Sequence, residues 1–223
     1  MKYRNKAIVL ISALLIIIFS VLTFADGTEY TGTVDGVTEL ISGFDRANSS
    51  KNKLNALDKA IAYVATVDPD SDGISEIYAE IDIRILDLAK IYQREMDLLD
   101  TFGEKHIARD NLEAYLLSHP FYGSVLGEEE FYDALYGATV AIADGYLAEL
   151  STLESAAEKH AVIDSLDALI EKYSLECSDS FMTTLYSETF LTASLYIDDL
   201  SDLTSVAERG AYVRLIDAFL TDH

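Results

Sequence analysis

The sequence predicts an all-α fold, antiparallel helical hairpins of about 50 residues stacked as a short α-solenoid or bundle, preceded by an N-terminal apolar export helix. Three observations predict it. First, Phe131–Ile170 laid on Phe181–Leu220, an ungapped shift of 50, matches at fifteen of forty positions; ordinary composition gives roughly two or three. The matches include Phe131/Phe181, Leu135/Leu185, Tyr136/Tyr186, Ala143/Ala193, Tyr146/Tyr196 and Glu158/Glu208. Second, apolar residues recur every three or four positions along each long segment, the period of a half-buried helix. Third, the dyads Asn52-Lys53, Glu104-Lys105, Glu158-Lys159 and Glu208-Arg209 return at spacings of 52, 54 and 50 residues. A repeat of that length holding two helical patterns is a hairpin array, because each hairpin has an apolar face only a neighbour can cover.

Residues 1–6 are basic, and Ala7–Ala25 is an uncharged apolar run. The small residues before Asp26 suit a cleaved signal peptide, and the length nearly suffices for a retained anchor. Both alternatives, for residues 1–25, place the remainder outside the cytoplasm: secreted, periplasmic or on the cell surface. Residues 26–37 read as a Gly/Thr-rich spacer, and with a short helix over Thr38–Arg46 they complete a segment 26–48 ahead of the repeat domain, 49–223.

Ser49 opens the first helix, with Leu54, Leu57, Ile61 and Val64 on one face and a stop before Pro69. Its partner runs from Ile74 to Thr101, where Ile77, Ile83, Leu86 and Ala89 broaden the apolar stripe enough for packing on two sides. The second hairpin, about 102–151, pairs Glu104–Ser118 with Glu128–Leu150 across the loop His119–Gly127. Three glutamates, 128–130, suit the positive end of that second helix. The third, about 152–200, pairs Leu153–Tyr173 with Ser180–Leu200, Asp179 serving as N-cap. A last helix, Leu203–Leu220 within 202–221, has no partner and reads as a cap.

Net charge limits the partners. The export segment holds three of the 16 basic residues and none of the 39 acids, leaving 13 bases against 39 acids, a net −26, for residues 26–223. Such a surface repels phosphate backbones and anionic lipid, so nucleic acid is excluded and membrane contact falls to the N-terminal segment alone. Half the residues are hydrophobic and 14 are Tyr, which argues for a folded core beneath the acid. The single cysteine, Cys177, permits no internal disulfide and reads as a thiol at the end of a helix.

Around Ala56–Ile81, ALDKAIAYVATVDPDSDGISEIYAEI, small packing residues, an Asp-Pro-Asp turn and an early Tyr in the next helix resemble the join between two tetratricopeptide (TPR-like) repeats. That family has 34-residue repeats and a Trp and Leu-Gly pair that are missing here. What the resemblance implies is helical hairpins that bind another protein or peptide or build assemblies.

The sharpest candidate site is the same turn. Asp68, Asp70 and Asp72 stand at positions 1, 3 and 5 of a loop with Gly73 at 6, the start of a calcium loop, and Glu76 and Glu80 follow as further carboxylates. Position 12, where that loop carries a bidentate Glu, is Ala79. The competing reading is a capped inter-helix turn in which Asp and Gly end and begin helices. His106 and His160 occupy one repeat position, each after Glu-Lys, and a duplicated surface tripeptide accounts for them. Tyr136, Tyr146, Tyr186 and Tyr196 read as packing between hairpins. No nucleophile elbow, phosphate loop, dinucleotide fingerprint or converging His–carboxylate set is visible, so no catalytic or cofactor-binding residue is assigned. The expected function is an exported, non-enzymatic scaffold or cell-surface assembly component; a calcium-dependent module on Asp68–Gly73 is the alternative, and an exported helical enzyme the second.

Overall fold

The computed structural model describes residues 31–223. The segment 1–25, expected from sequence to direct export, and the start of the expected spacer lie outside them. The described residues form eight helices and no strand: α1 Val34–Arg46, α2 Ser50–Val64, α3 Ile74–Asp97, α4 Phe102–Ser118, α5 Glu128–Leu150, α6 Ala156–Tyr173, α7 Asp179–Asp202 and α8 Val206–Asp222. The fold is therefore all-α. None of these helices is long and apolar enough to cross a membrane. The chain divides into two compact units between Ile81 and Asp82, inside α3.

In the first unit α1 begins earlier than the composition suggests. Thr33, in extended backbone, accepts a hydrogen bond from Gly36 N at 3.1 Å and starts the helix inside the expected spacer. Gly36 also lets α1 approach α2, for a Cβ there would lie 2.6–2.8 Å from the Tyr63 ring. Gly/Thr content that reads as a linker thus serves a cap and a close helix contact. Val37, Ile41 and Phe44 of α1 and Leu57, Ala60 and Val64 of α2 are buried, at about 1.5–3 kcal/mol for each large side chain.

In the second unit, α4 packs on α5, α5 on α6 and α7, α6 on α7, and α7 on α8. Its core holds Met96, Leu112, Leu135, Leu150, Ile163, Leu166, Leu169 and Phe219. Residues matched in the internal repeat share their environment: Phe131 and Phe181, Leu135 and Leu185, Ala143 and Ala193, Tyr146 and Tyr196 are all buried. Hydroxyl caps set the helix starts. Thr101 accepts from Glu104 N while Glu104 accepts from Thr101 N, a complete capping box. Ser155, Ser178 and Ser205 cap α6, α7 and α8. The cap of α7 is therefore Ser178, and Asp179 lies in the first turn, where its charge meets the helix dipole.

The loop between α4 and α5 is held from within α3. Asp82, a buried carboxylate, accepts from Tyr122 N at 2.8 Å and Gly123 N at 2.9 Å. Gly127 then enters α5 at φ +82°, a left-handed conformation that favours glycine.

Candidate functional site

The sequence-predicted metal loop lies wholly within the described residues. Asp68 Oδ1 accepts from Asp70 N at 2.9 Å, Ser71 N donates to Asp68 O, and Gly73 takes φ +82° before α3. This is an Asx turn joined to a helix start. The carboxylates of Asp68, Asp70, Asp72, Glu76 and Glu80 are not among the sets of three donors that converge within 4.8 Å.

Polar groups are brought together in the second unit instead, at two places related by the internal repeat. At the first, His106 on α4 places Nδ1 3.2 Å from Tyr146 Oη of α5. One turn on, Asp110 Oδ1 receives the Tyr173 hydroxyl at 2.6 Å and the Lys172 ammonium at 2.7 Å. Arg109 fills the floor: Nε donates to the buried Thr139 Oγ1 at 2.9 Å, and its guanidinium lies 3.9 Å from the Tyr173 ring centre. Arg109 Nη1 and Glu113 Oε2 are buried without hydrogen bonds, 3.9 Å apart.

The electrostatics follow. Burial works to raise the Asp110 pKa, but hydrogen bonds from Lys172 and Tyr173 and the Lys172 charge outweigh it, so the carboxyl titrates below its ordinary 3.8. Burial, helped by the Asp110 hydrogen bond, pushes the Tyr173 phenol up. It also lowers His106, favouring neutral imidazole. This is a charge-balanced polar corner with its cation built in.

The second place has the same frame with a different corner. His160 on α6 places Nδ1 2.8 Å from Tyr196 Oη of α7, and Asp164 lies one turn on, with Oδ1 3.5 Å from His160 Nε2. Where the first corner has Lys172 and Tyr173, the shift of 50 puts Asp222 and His223. His223 Nε2 is 3.0 Å from Asp164 Oδ1, and its Nδ1 is 2.6 Å from Asp167 Oδ2. Phe219 and Tyr196 wall the cluster, with the Phe219 ring 4.6 Å from His160 and 5.0 Å from His223. Among the described residues, His160, Asp164 and His223 are the set of three metal-capable donors within 4.8 Å of one another.

Sequence reasoning missed this set. In the sequence alone, His106 and His160 are accounted for as parts of a duplicated surface tripeptide and nothing converges on them. The available signal was His-x-x-x-Asp in both copies, which puts imidazole and carboxylate on one helix face. The third member comes from 59 residues away and needs the fold. Lys159, in the same tripeptide, is buried: Nζ pairs with Glu188 Oε2 at 2.6 Å and donates to the Leu150 carbonyl. Cys177 is half-buried and unpaired in disulfide, with its thiol pushed up by burial. Of the repeated tyrosines, Tyr146 and Tyr196 are buried as packing residues, while Tyr136 and Tyr186 are exposed.

Comparison with family models, with curated proteins and with solved structures gives no match.

Proposed function

We propose that the chain is an exported, non-enzymatic helical-repeat protein that presents its last two helices to another protein, as a scaffold or component of a cell-surface assembly. In this reading the hairpins are TPR-like units of about 50 residues, 49–101, 102–151 and 152–200, closed by α8, and residues 1–25 deliver the domain across a membrane.

The observation that carries the reading is an apolar stripe along α7 and α8. Tyr186, Phe190 and Ile197 are spaced four and seven residues apart on one face of α7, and Phe190 is 72% exposed. Val206 and Val213 of α8 add 87% and 51% exposure. The repeat shift pairs Val213 with Ile163, which is fully buried. On α8, then, a position that is core in one copy is open in the next, the kind of surface a partner covers. The net charge of −26 for residues 26–223 directs that partner toward basic or neutral rims. The reading does not call on calcium; the loop Asp68–Gly73 belongs to the alternative, a calcium-dependent binding module.

Site-specific photo-crosslinking in cells tests it. A photoreactive residue at position 190 is expected to give one discrete adduct with another protein, and the same residue at Leu126, 98% exposed in the α4–α5 loop, none. Equal yields at both positions, or no adduct at 190, overturn it.

A further inference from the structure

The two polar corners differ in one respect that chemistry can use. The first contains an ammonium, Lys172, within 2.7 Å of Asp110; at the second, Asp222 replaces that lysine and an imidazole, His223, replaces Tyr173. The second corner has therefore lost a fixed cation and gained a metal-binding nitrogen. We propose that it is a site for a divalent transition metal, zinc above all, ligated by His160 Nε2, His223 Nε2 and Asp164 Oδ1, with a fourth position open to water.

The geometry points the same way. Donors on a tetrahedral zinc, each about 2.0–2.1 Å from the ion, stand roughly 3.3–3.4 Å from one another. Asp164 Oδ1 is 3.5 Å from His160 Nε2 and 3.0 Å from His223 Nε2. Both imidazoles have the opposite nitrogen occupied, His160 Nδ1 by the Tyr196 hydroxyl and His223 Nδ1 by Asp167. With Nδ1 hydrogens given to those partners, both Nε2 lone pairs face Asp164, the outer-shell arrangement of metal-binding histidines. Two imidazoles and a carboxylate select a transition metal over calcium or magnesium, which prefer all-oxygen sites. The His223 side chain is 7% exposed and Asp164 59%, so the histidine is held from inside while metal and water enter past the carboxylate. Bound metal would join the end of α8 to α6. The inference is independent of the scaffold reading.

The test uses metal-stripped full chain, zinc by calorimetry and cobalt by its visible absorption. One equivalent is expected, with the absorption of tetrahedral cobalt and a Tm raised by about 5–10 °C at a hundredfold excess over Kd. Asp164→Asn, at an exposed side chain that need not disturb folding, and His223→Gln should abolish it. Asp167→Asn should weaken binding about 10- to 100-fold by releasing the His223 ring. His106→Gln, at the equivalent position, should leave it unchanged, and calcium should give no heat. Absence of stoichiometric zinc binding shows an imidazole held between two carboxylates and overturns the proposal. So does binding that survives Asp164→Asn or that His106→Gln weakens equally.

Discussion

Lys159→Ala separates a surface repeat element from a structural one. Lys159 and Glu188 are 7% and 13% exposed at the side chain, and their charged atoms are 2.6 Å apart; the same ammonium satisfies the last carbonyl of α5, Leu150. Alanine leaves the Glu188 carboxylate facing an apolar interior and strips the helix end of a donor. Breaking a buried pair from one side costs about 3–5 kcal/mol, and the residual water access of Glu188 favours the lower figure, about 3. At roughly 2–4 °C per kcal/mol, Tm should fall by about 6–12 °C. Replacing both partners by apolar residues, Lys159→Met with Glu188→Leu, removes the stranded charge and should return Tm close to wild type. Lys105, the counterpart one repeat earlier, only approaches the Phe102 ring at 6.0 Å, so Lys105→Ala should cost under about 1 kcal/mol. Thermal unfolding followed by circular dichroism reads all three. A Lys159→Ala loss below about 0.5 kcal/mol, the range of an ordinary surface change, would refute the argument.

The same substitution should act with opposite sign at two glycines of α5. A Cβ on Gly145 would lie 2.0–2.4 Å from the Phe102 ring, whereas one on Gly137 meets nothing within 4 Å; Gly145→Ala should lower the urea midpoint through about 1–3 kcal/mol of overpacking, and Gly137→Ala should raise it by up to about 1 kcal/mol. The acid limb of stability should carry two opposed signatures. Asp110 has a folded pKa below its unfolded 3.8, so its stabilisation is fully present above 3.8 and is lost as pH falls through the folded value. Asp82 is shifted upward by burial, against hydrogen bonds from Tyr122 and Gly123, so its contribution is present below 3.8 and lost as pH rises through the folded value. Asp110→Asn should therefore flatten, and Asp82→Asn steepen, the loss of stability on acidification, measured by urea unfolding between pH 2 and 6, a range set by these carboxylates.

Helix existence was legible because it depends on local period, and α5 begins and ends at the residues its pattern marks, Glu128 and Leu150. The starts of α6 and α8 were legible too, in Ser-Ala-Ala-Glu and Ser-Val-Ala-Glu, but the apolar Leu153 and Leu203 drew the expected boundaries forward by about three residues. The α1 start was hidden because Gly and Thr are linker residues by composition and cap or contact residues only in context. The histidine cluster was least accessible. Its geometry joins the middle of α6 to the end of α8, and spacing within one helix shows half of it.

The dyad that marks the repeat has a physical reason to recur. Its acid sits in the first turn of a helix, where Glu104, Glu158 and Glu208 meet the N-terminal dipole. At three of the four dyads its base reaches backward to the end of the preceding helix: Lys53 to the Phe44 carbonyl at 3.1 Å, Lys159 to Leu150, Arg209 to Leu203 at 2.6 Å; Lys105 instead lies 6.0 Å from the Phe102 ring. Helix ends leave carbonyls without partners, and one side chain in the next helix supplies a donor and fixes the angle of the junction. Where the base makes that bond its position is tied to the junction, while the residue after it differs in its contacts from copy to copy. His106 meets Tyr146 of α5, His160 meets Tyr196 of α7 and the Phe219 and His223 rings at the end of α8, and Gly210 carries no side chain. On that account the junction preserves the register, and the position one residue along is where the copies of the repeated sequence differ in chemistry.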